Sequence, residues 1–442
     1  MSDNNKAIVV KVNKTEEIPG MDNIHLVKLF GTQVITSKDV KEGDIMVYVD
    51  SNMKMSPEFL HYNNLYRHSE FNKHPNQSGY FDDNGRVKAI KMKGVISDGF
   101  LFPESYLSHI DRSFGYDTPQ LKVGEEFNEI QGYKICEKYV PPQKETNSGK
   151  KKGSGRSAFQ APMFVEHFDT TQFMRNKHKI PPKTMIYIEE KVHGTSHRTG
   201  YVNVGIDYKI SWWEKLLARM IRGKGTKVWK WVHLNGTRRV THTPDKVQKN
   251  PYHDPSMRQE VLEHVRGQLL KGEQLYIELF GYEKSGKHIQ KGFPYGCEFK
   301  WMDKASYDIE TKGYTNHKEN NKPLYRAMLY RVTMNNEDGN VVDYPREYVY
   351  RRAEELNLEK PHLFEKFYYS GTQKSMENLE KKIIEYAQGQ SAFAEDTLKE
   401  GVVIWFINDR GKWEALKYKS DAFRLEESKL KDKGYIDQED VA

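Results

Sequence analysis

Lys191 closes an apolar-rich run, Ile186-Tyr187-Ile188-Glu189-Glu190-Lys191, and is followed by Val192-His193-Gly194-Thr195-Ser196. A lysine where a strand runs into a turn is ordinarily a solvated side chain. Partly desolvated and set beside other cations, the same lysine can lose its proton and attack phosphorus, and the glycine three residues on lets the backbone come close to a ligand. Further candidates follow in strand-like runs. Glu278 in Leu275-Tyr276-Ile277-Glu278-Leu279-Phe280-Gly281 and Glu400 in Leu398-Lys399-Glu400-Gly401-Val402-Val403-Ile404 are carboxylates among aliphatic neighbours. An unpaired charge there is costly to bury, so each calls for a ligand or a partner. Tyr330, in Met328-Leu329-Tyr330-Arg331-Val332, reads either as core or as a face on which a base stacks. Lys417 and Lys419 lie in Leu416-Lys417-Tyr418-Lys419.

These residues need strands to hold them. The runs Thr184 to Lys191, Gln274 to Phe280, Gly401 to Phe406 and Trp413 to Lys417 read as strands. Helical stretches alternate with them: Ser256 to Leu270, with Ser256 and Gln259 at capping-box spacing, and Lys374 to Gln388, with Met376, Leu379, Ile383 and Ile384 on one face. That is an α+β pattern. Upstream, Ala7 to Val12, Ile24 to Phe30, Gln33 to Ile35, Met46 to Val49 and Arg86 to Met92 are short strands between turn residues, the pattern of a small β-barrel. Between the two regions, residues 138–162 contain Pro141-Pro142, Lys150-Lys151-Lys152, Gly153 and Gly155, and read as a flexible basic linker.

The chain has 442 residues, and at about 150 per domain that length suits two or three domains. No apolar run approaches the roughly 20 residues a bilayer requires and no signal peptide is visible, so a cytoplasmic protein is expected, in the host cytoplasm if the source is viral. Two cysteines, Cys136 and Cys297, exclude a disulfide framework and a cysteine zinc site. The formal charge of +7 is concentrated: Lys209 to Arg239 holds nine Lys/Arg against Glu214, an excess of +8, so the remainder sums to about −1. Trp212, Trp213, Trp229 and Trp231 lie in the same stretch, a mix suited to pairing phosphates and stacking bases. Equally, Ser211 to Ile221 has the spacing of an amphipathic helix.

Taken in series, the lysine segment, Glu278, Tyr330, Glu400 and Lys417 with Lys419 resemble the nucleotidyl-binding motifs of the covalent nucleotidyltransferase superfamily, the ATP-dependent ligases and mRNA capping enzymes. His193, in Lys-x-His-Gly, points to RNA ligases, as DNA ligases usually carry Asp there. Only 23 residues follow Lys419, so the accessory domain is expected at the other end. There, Gly31 to Asp44 and Val87 to Gly99 look like the N-terminal OB domain of the Deinococcus/Naegleria-type RNA ligases, and Ile289-Gln290-Lys291 resembles their adenylation domain.

The resemblance implies an α+β fold: an OB-like β-barrel at 1–137, the linker at 138–162, and at 163–442 a nucleotidyltransferase (ATP-grasp-like ligase adenylation) domain of antiparallel sheets flanked by helices, with a basic insertion at about 207–235. It implies an ATP-dependent RNA ligase using Mg²⁺ or Mn²⁺. Lys191 would take AMP from ATP, with His193 beside it; Lys417 and Lys419 would hold the α-phosphate; Glu278 and Glu400 would organise ribose and metal. Tyr330 would stack on adenine, Glu189 or Glu190 would meet its amino group, Ser196 would serve ribose or phosphate, and Arg198 and Arg238 (or Arg239) would contact phosphates. The partner implied is nucleic acid, a nicked duplex with RNA on the 3′-OH side, with Lys88, Lys91 and Lys93 as candidate contacts, and the protein is expected to be a monomer without membrane association. A DNA ligase, a capping guanylyltransferase and a non-catalytic OB-domain binding protein are the alternatives.

Overall fold

A computed structural model of the chain describes residues 6–110, 121–142, 159–207, 227–242, 254, 256–300, 306–315 and 322–435. The principal strands of residues 6–104 are β1 (Ala7–Lys11), β2 (Ile24–Leu29), β3 (Thr32–Ser37), β4 (Ile45–Val49), β5 (Ala89–Met92), β6 (Val95–Asp98) and β7 (Phe100–Pro103). β4 lies antiparallel between β1 and β7. Ala7 to Val10 of β1 and Met46 to Val49 of β4 run apolar without alternation because both faces are covered there: Val9, Val47 and Val49 pack with Phe59 and Phe102, while Ile8, Val10, Met46 and Tyr48 pack with Val27 and Val34. The β5–β6 hairpin turns at Lys93-Gly94, both at positive φ, the geometry of a tight hairpin.

Residues 159 onward build two sheets from β8 (Thr184–Lys191), β9 (Thr195–Asp207), β10 (Lys227–Gly236), β11 (Glu273–Gly281), β12 (Tyr325–Asn335), β13 (Leu363–Tyr369), β14 (Gly401–Ile407) and β15 (Trp413–Lys419). One sheet runs Thr171–Gln172, β15, β14, β8, β13; the other runs Phe159–Gln160, β9, β11, β12 and two short strands, with β10 on the free edge of β9. The four principal helices are α1 (Ser256–Val265), α2 (Arg346–Glu355), α3 (Gln373–Ala387) and α4 (Asp421–Asp432). Strand alternation decides what each face does. Ile186, Ile188, Val402, Ile404 and Leu416 meet Leu379 and Ile383 of α3. Leu275, Ile277 and Leu279 meet Val261 of α1 and Val349 of α2. The intervening residues of the same strands point the other way, and they are the ones with chemistry. No helix among the described residues is long and apolar enough to cross a membrane.

Three sequence expectations change. Lys138 belongs to a strand (Cys136–Lys138) and Phe159–Gln160 pairs with β9, so the ends of the expected linker are ordered sheet; its centre, 143–158, lies outside the described residues. The expected insertion contributes β10, paired with β9 from Lys227 to Gly236, because Val202, Val204 and Leu234 bury a shared apolar face; its amphipathic stretch 211–221 lies outside the described residues. The capping box at Ser256 does not form: Gln259 bonds Asn235 and Glu263 instead. The first helical turn is held by Asp254, which accepts the Ser256 N–H at 2.9 Å.

The two halves of the chain meet at α4. Ser420 caps it, its hydroxyl accepting the Phe423 N–H at 3.1 Å. One row of the helix, Arg424, Ser428 and Asp432, faces the N-terminal domain. Arg424 pairs with buried Asp98, Arg86 donates to the Ser428 carbonyl (3.1 Å), the Ser428 hydroxyl (3.0 Å) and Asp432 (2.6 Å), and the Ala89 N–H reaches the Ser428 hydroxyl at 3.2 Å.

Candidate active site

Between the uncovered faces of the two sheets lies a cavity of about 680 Å³. Lys191, Glu189, Val403, Trp405, Lys417 and Lys419 line it from one sheet, and Ser196, Glu278, Met328 and Tyr330 from the other. Asp50, Asn52, Asn128 and Glu137 close it from the N-terminal domain.

At its centre Lys191 Nζ donates to Glu400 Oε2 at 2.8 Å. Lys419 Nζ is 3.3 Å from the other carboxylate oxygen and His193 Nδ1 is 3.7 Å from Oε2. Glu400 is 1% exposed. Burial pushes its carboxyl up, but the Lys191 and Lys419 cations and His193 more than offset this and hold it at about 2. Lys419 also reaches Glu427 of α4 at 3.1 Å. Burial acts in the same upward sense on Glu427, and Lys419 with Lys431 again overcomes it, leaving that carboxyl well below the usual range.

The turn after Lys191 is fixed from several sides. The His193 N–H donates to the Tyr295 hydroxyl at 2.8 Å, the Gly194 N–H to Glu278 Oε1 at 3.0 Å, and Gln290 Nε2 to the Gly194 carbonyl at 2.8 Å. The His193 ring sits edge-on to Phe293 and Phe423. A Cβ on Gly194 would lie 2.3 Å from the Leu279 carbonyl and 2.9 Å from Glu278 Cγ. The carbonyl belongs to β11 and has nowhere to go. Gly194→Ala is therefore expected to displace the lysine turn, cost about 1–3 kcal/mol of stability and cut any Lys191-dependent activity by at least tenfold; a thermal midpoint and turnover within error of wild type would contradict the close packing.

The far end of the cavity is aromatic. Tyr330 lines it beside His167, their ring centroids 5.2 Å apart, with Trp405 nearby. Burial, then the cations of Arg331 and Arg238, press the His167 pKa well below its ordinary value, so its ring is neutral at neutral pH. Glu189 shares the Lys191 face and is gripped by Arg346, at 2.7 and 2.6 Å, and by the Tyr350 hydroxyl. Glu190, also at the cavity, holds the Ser391 hydroxyl at 2.5 Å and the Ala392 N–H at 2.8 Å.

Most residues singled out in the sequence thus converge: Lys191, His193, Ser196, Glu189, Glu190, Glu278, Tyr330, Glu400, Lys417, Lys419, Arg238 and Arg239 all line one cavity. Arg238 pairs with Asp169, and the Ser196 hydroxyl is buried without a partner among the described residues. Arg198 is a correction. It is fully buried, donates to the Thr237 carbonyl (2.7 Å) and the Phe164 carbonyl (3.3 Å), and does not line the cavity, so it braces the β9–β10 edge. At Lys88, Asp82 (2.6 Å) and Asp432 (3.3 Å) engage the ammonium, which ties it to the contact with α4. Lys91 and Lys93 are exposed on the β5–β6 hairpin. Sequence reasoning missed His167, Arg346 and Glu427. Only Glu427 left a signal, a carboxylate two turns after the Ser420 cap.

A family model described as an OB-fold domain matches residues 6–104. Among solved structures, Naegleria gruberi RNA ligase with pyrophosphate aligns over 96% of this chain and 98% of its own at 14% identity, TM-score 0.52. A mutant of that ligase in its apo form aligns over 95% and 98% at 13% identity, TM-score 0.52, and one with AMP and Mn over 95% and 98% at 14%, TM-score 0.51. The chain has the fold of these RNA ligases. No curated protein matches the sequence. Within the RNA-ligase fold, the barrel of β1–β7 is the OB-fold part, and the two sheets around Lys191 are the sheet-rich part that carries the cavity.

Proposed function

We propose that this protein is an ATP-dependent RNA ligase that works through a lysyl-AMP intermediate and seals nicks in duplex RNA or RNA/DNA hybrid with RNA on the 3′-OH side. The observation that carries the reading is the meeting of Lys191 with Glu400 and Lys419 in a cavity whose other end is aromatic. The shared fold with a ligase solved with ATP and Mn supports it.

In the first step Lys191 Nζ attacks as the free amine, so its pair with Glu400 opens and its proton leaves. A P–N bond forms to the α-phosphorus, the α–β anhydride breaks, and pyrophosphate departs. Lys417 and Lys419 hold the α-phosphate and offset the charge developing on it. Adenine lies at the Tyr330 end and meets Glu189 or Glu190, with Ser196 serving ribose or phosphate. A 5′-phosphate oxygen then takes AMP from Lys191. A 3′-hydroxyl finally attacks that 5′-phosphorus, losing its proton as the phosphodiester forms and AMP leaves. His193 steadies the turn beside Lys191, and Arg238 or Arg239 meets phosphate at the cavity mouth.

Glu278 and Glu400 supply hard oxygen donors, and among the described residues no group of three His, Cys, Asp or Glu forms a cage for a cation. Mg²⁺ or Mn²⁺ suits such a site, since Mg²⁺ commonly binds through one or two carboxylates and completes its shell with phosphate oxygens and water. When bound, the ion would neutralise charge on the phosphates.

The OB-fold part, 1–137 by this reading, contacts the nucleic acid through Lys91 and Lys93. Residues 163–442 form the adenylation domain, and the protein acts as a cytoplasmic monomer. Incubation with α-labelled ATP and Mg²⁺ or Mn²⁺, then a chase with nicked duplexes, tests the whole reading. The expected result is label on the protein that passes into sealed product when the 3′-OH strand is RNA. No label with either metal refutes the mechanism; equal sealing of all-DNA nicks refutes the substrate.

A further inference from the structure

Helix α4 carries two adjacent rows that do different things. Phe423, Glu427 and Lys431, four residues apart, run toward the lysine turn and Lys419: Phe423 packs on the His193 ring, Glu427 pairs with Lys419 at 3.1 Å, and Lys431 meets Glu427 at 3.4 Å. Arg424, Ser428 and Asp432, with the same spacing, are bound to Asp98, Arg86 and the Ala89 N–H. Lys431 also reaches Asn52 at 2.9 Å, so the rows share a connection to the N-terminal domain. Glu427 is 8% exposed and Ser428 4% exposed. A carboxylate buried this far has a fixed rotamer and a fixed distance to its lysine.

We propose that Glu427 is a positioning residue for Lys419, kept at its place because α4 is clasped by Arg86 and Asp98. The inference rests on the ligase reading, in which Lys419 stabilises the α-phosphate as pyrophosphate leaves. Lys419 stands between two carboxylates, Glu400 at 3.3 Å and Glu427 at 3.1 Å. Glu400 alone would draw it toward Lys191. The second carboxylate, anchored from outside the sheet, sets where its ammonium waits. Placement matters here because a small displacement of a group that acts on the transition state costs rate more than it costs ground-state binding.

The test is single-turnover formation of the Lys191 adduct by the full chain, with rate constant, ATP dependence and final label per protein measured separately. Glu427→Gln keeps the shape and removes the charge. The rate constant should fall about tenfold or more with the ATP half-saturation changed less than about threefold, the signature of an interaction made in the transition state. Glu427→Asp should recover part of the loss. Ser428→Ala, which removes the hydroxyl that accepts from Arg86 and the Ala89 N–H, should slow the step in the same way, and the double variant should lose less than the product of the two single losses because both act through Lys419. A Glu427→Gln protein that labels at the wild-type rate overturns the proposal. So does a loss confined to final label per protein, which would mark a merely structural contact, or independent losses in the double variant. Wild-type protein that takes no label overturns the ligase reading and this inference together; wild-type labelling that is abolished by Lys191→Ala leaves the reading standing whatever Glu427 does.

Discussion

Lys191→Arg is expected to form no adenylylated protein. The substitution is the informative one because it separates charge from nucleophilicity. A guanidinium keeps the cation facing Glu400, where the amine now donates at 2.8 Å, but it does not give up its proton and offers no lone pair to phosphorus. Lys191→Met removes both properties. Loss of a covalent nucleophile lowers such a step by a factor on the order of 10⁴ or more, so neither variant should show label after denaturing electrophoresis. Because Lys417, Lys419 and Tyr330 remain, ATP binding measured by calorimetry should persist in the arginine variant. Label on Lys191→Arg at even a hundredth of the wild-type rate would mean that another residue is the nucleophile.

Glu400→Gln is expected to be nearly as damaging and to leave a different trace. Glu400 is the shared counter-ion of Lys191 and Lys419 and the near neighbour of His193. Its neutral isostere leaves two ammonium groups facing each other with their common partner gone. The lysines should be driven apart, and adduct formation should fall by roughly 10²–10³-fold, the cost of removing one preorganised electrostatic group. Stability should report the same loss. The carboxyl drops from 4.5 to about 2 on folding. A depressed pKa of this size corresponds to on the order of 3 kcal/mol that is present above the unfolded value and disappears as pH falls through the folded one. Between pH 4.5 and 2 the wild type should therefore lose stability more steeply than Glu400→Gln, and above pH 5 the variant should unfold at lower denaturant concentration. Parallel pH curves would show that Glu400 is not held by these cations.

Much of the site was legible because strands impose a period of two. Once Ile186 and Ile188 are read as core, Glu189 and Lys191 must face the other way; the same holds for Glu278 between Ile277 and Leu279, and for Lys417 and Lys419 on either side of Tyr418. Each strand bounds its own turn signal, so Thr184–Lys191 is found where its pattern puts it. What stayed hidden depends on partners far along the chain. Arg198 lies two residues from cavity-lining Ser196 on the same strand and reads as a phosphate contact; the carbonyls of Thr237 and Phe164 that claim it are 39 and 34 residues away. Glu427 is the exception, with its partner Lys419 only eight residues away and its place two turns after the Ser420 cap as the signal. His167 lies in a stretch without periodicity, and it is Arg331, Tyr330, Tyr276 and Trp405, all more than 100 residues on, that give it a place. Lys88 read as a free cation on a strand, because nothing in its neighbourhood announces Asp432.

The clasp between the barrel and α4 also sets an order of events during synthesis. Arg86 and Ser428 are 342 residues apart, Asp98 and Arg424 326, and Lys191 and Glu400 209. At about 5–20 residues per second a ribosome needs roughly 15 to 65 seconds to go from Asp98 to Arg424. Through that interval the barrel can fold but its Asp98 lacks its arginine, and for 209 residues of it the Lys191 strand, once made, lacks its carboxylate. Contacts this distant in sequence also form slowly once available, since loop closure must precede any gain from them. If Lys191 carries AMP as proposed, a chain not yet extended past Lys419 has no means of acquiring it, and a product truncated before that point would be inert toward nucleotide. The covalent mark would then be made mainly on molecules whose α4 has already locked onto the N-terminal domain.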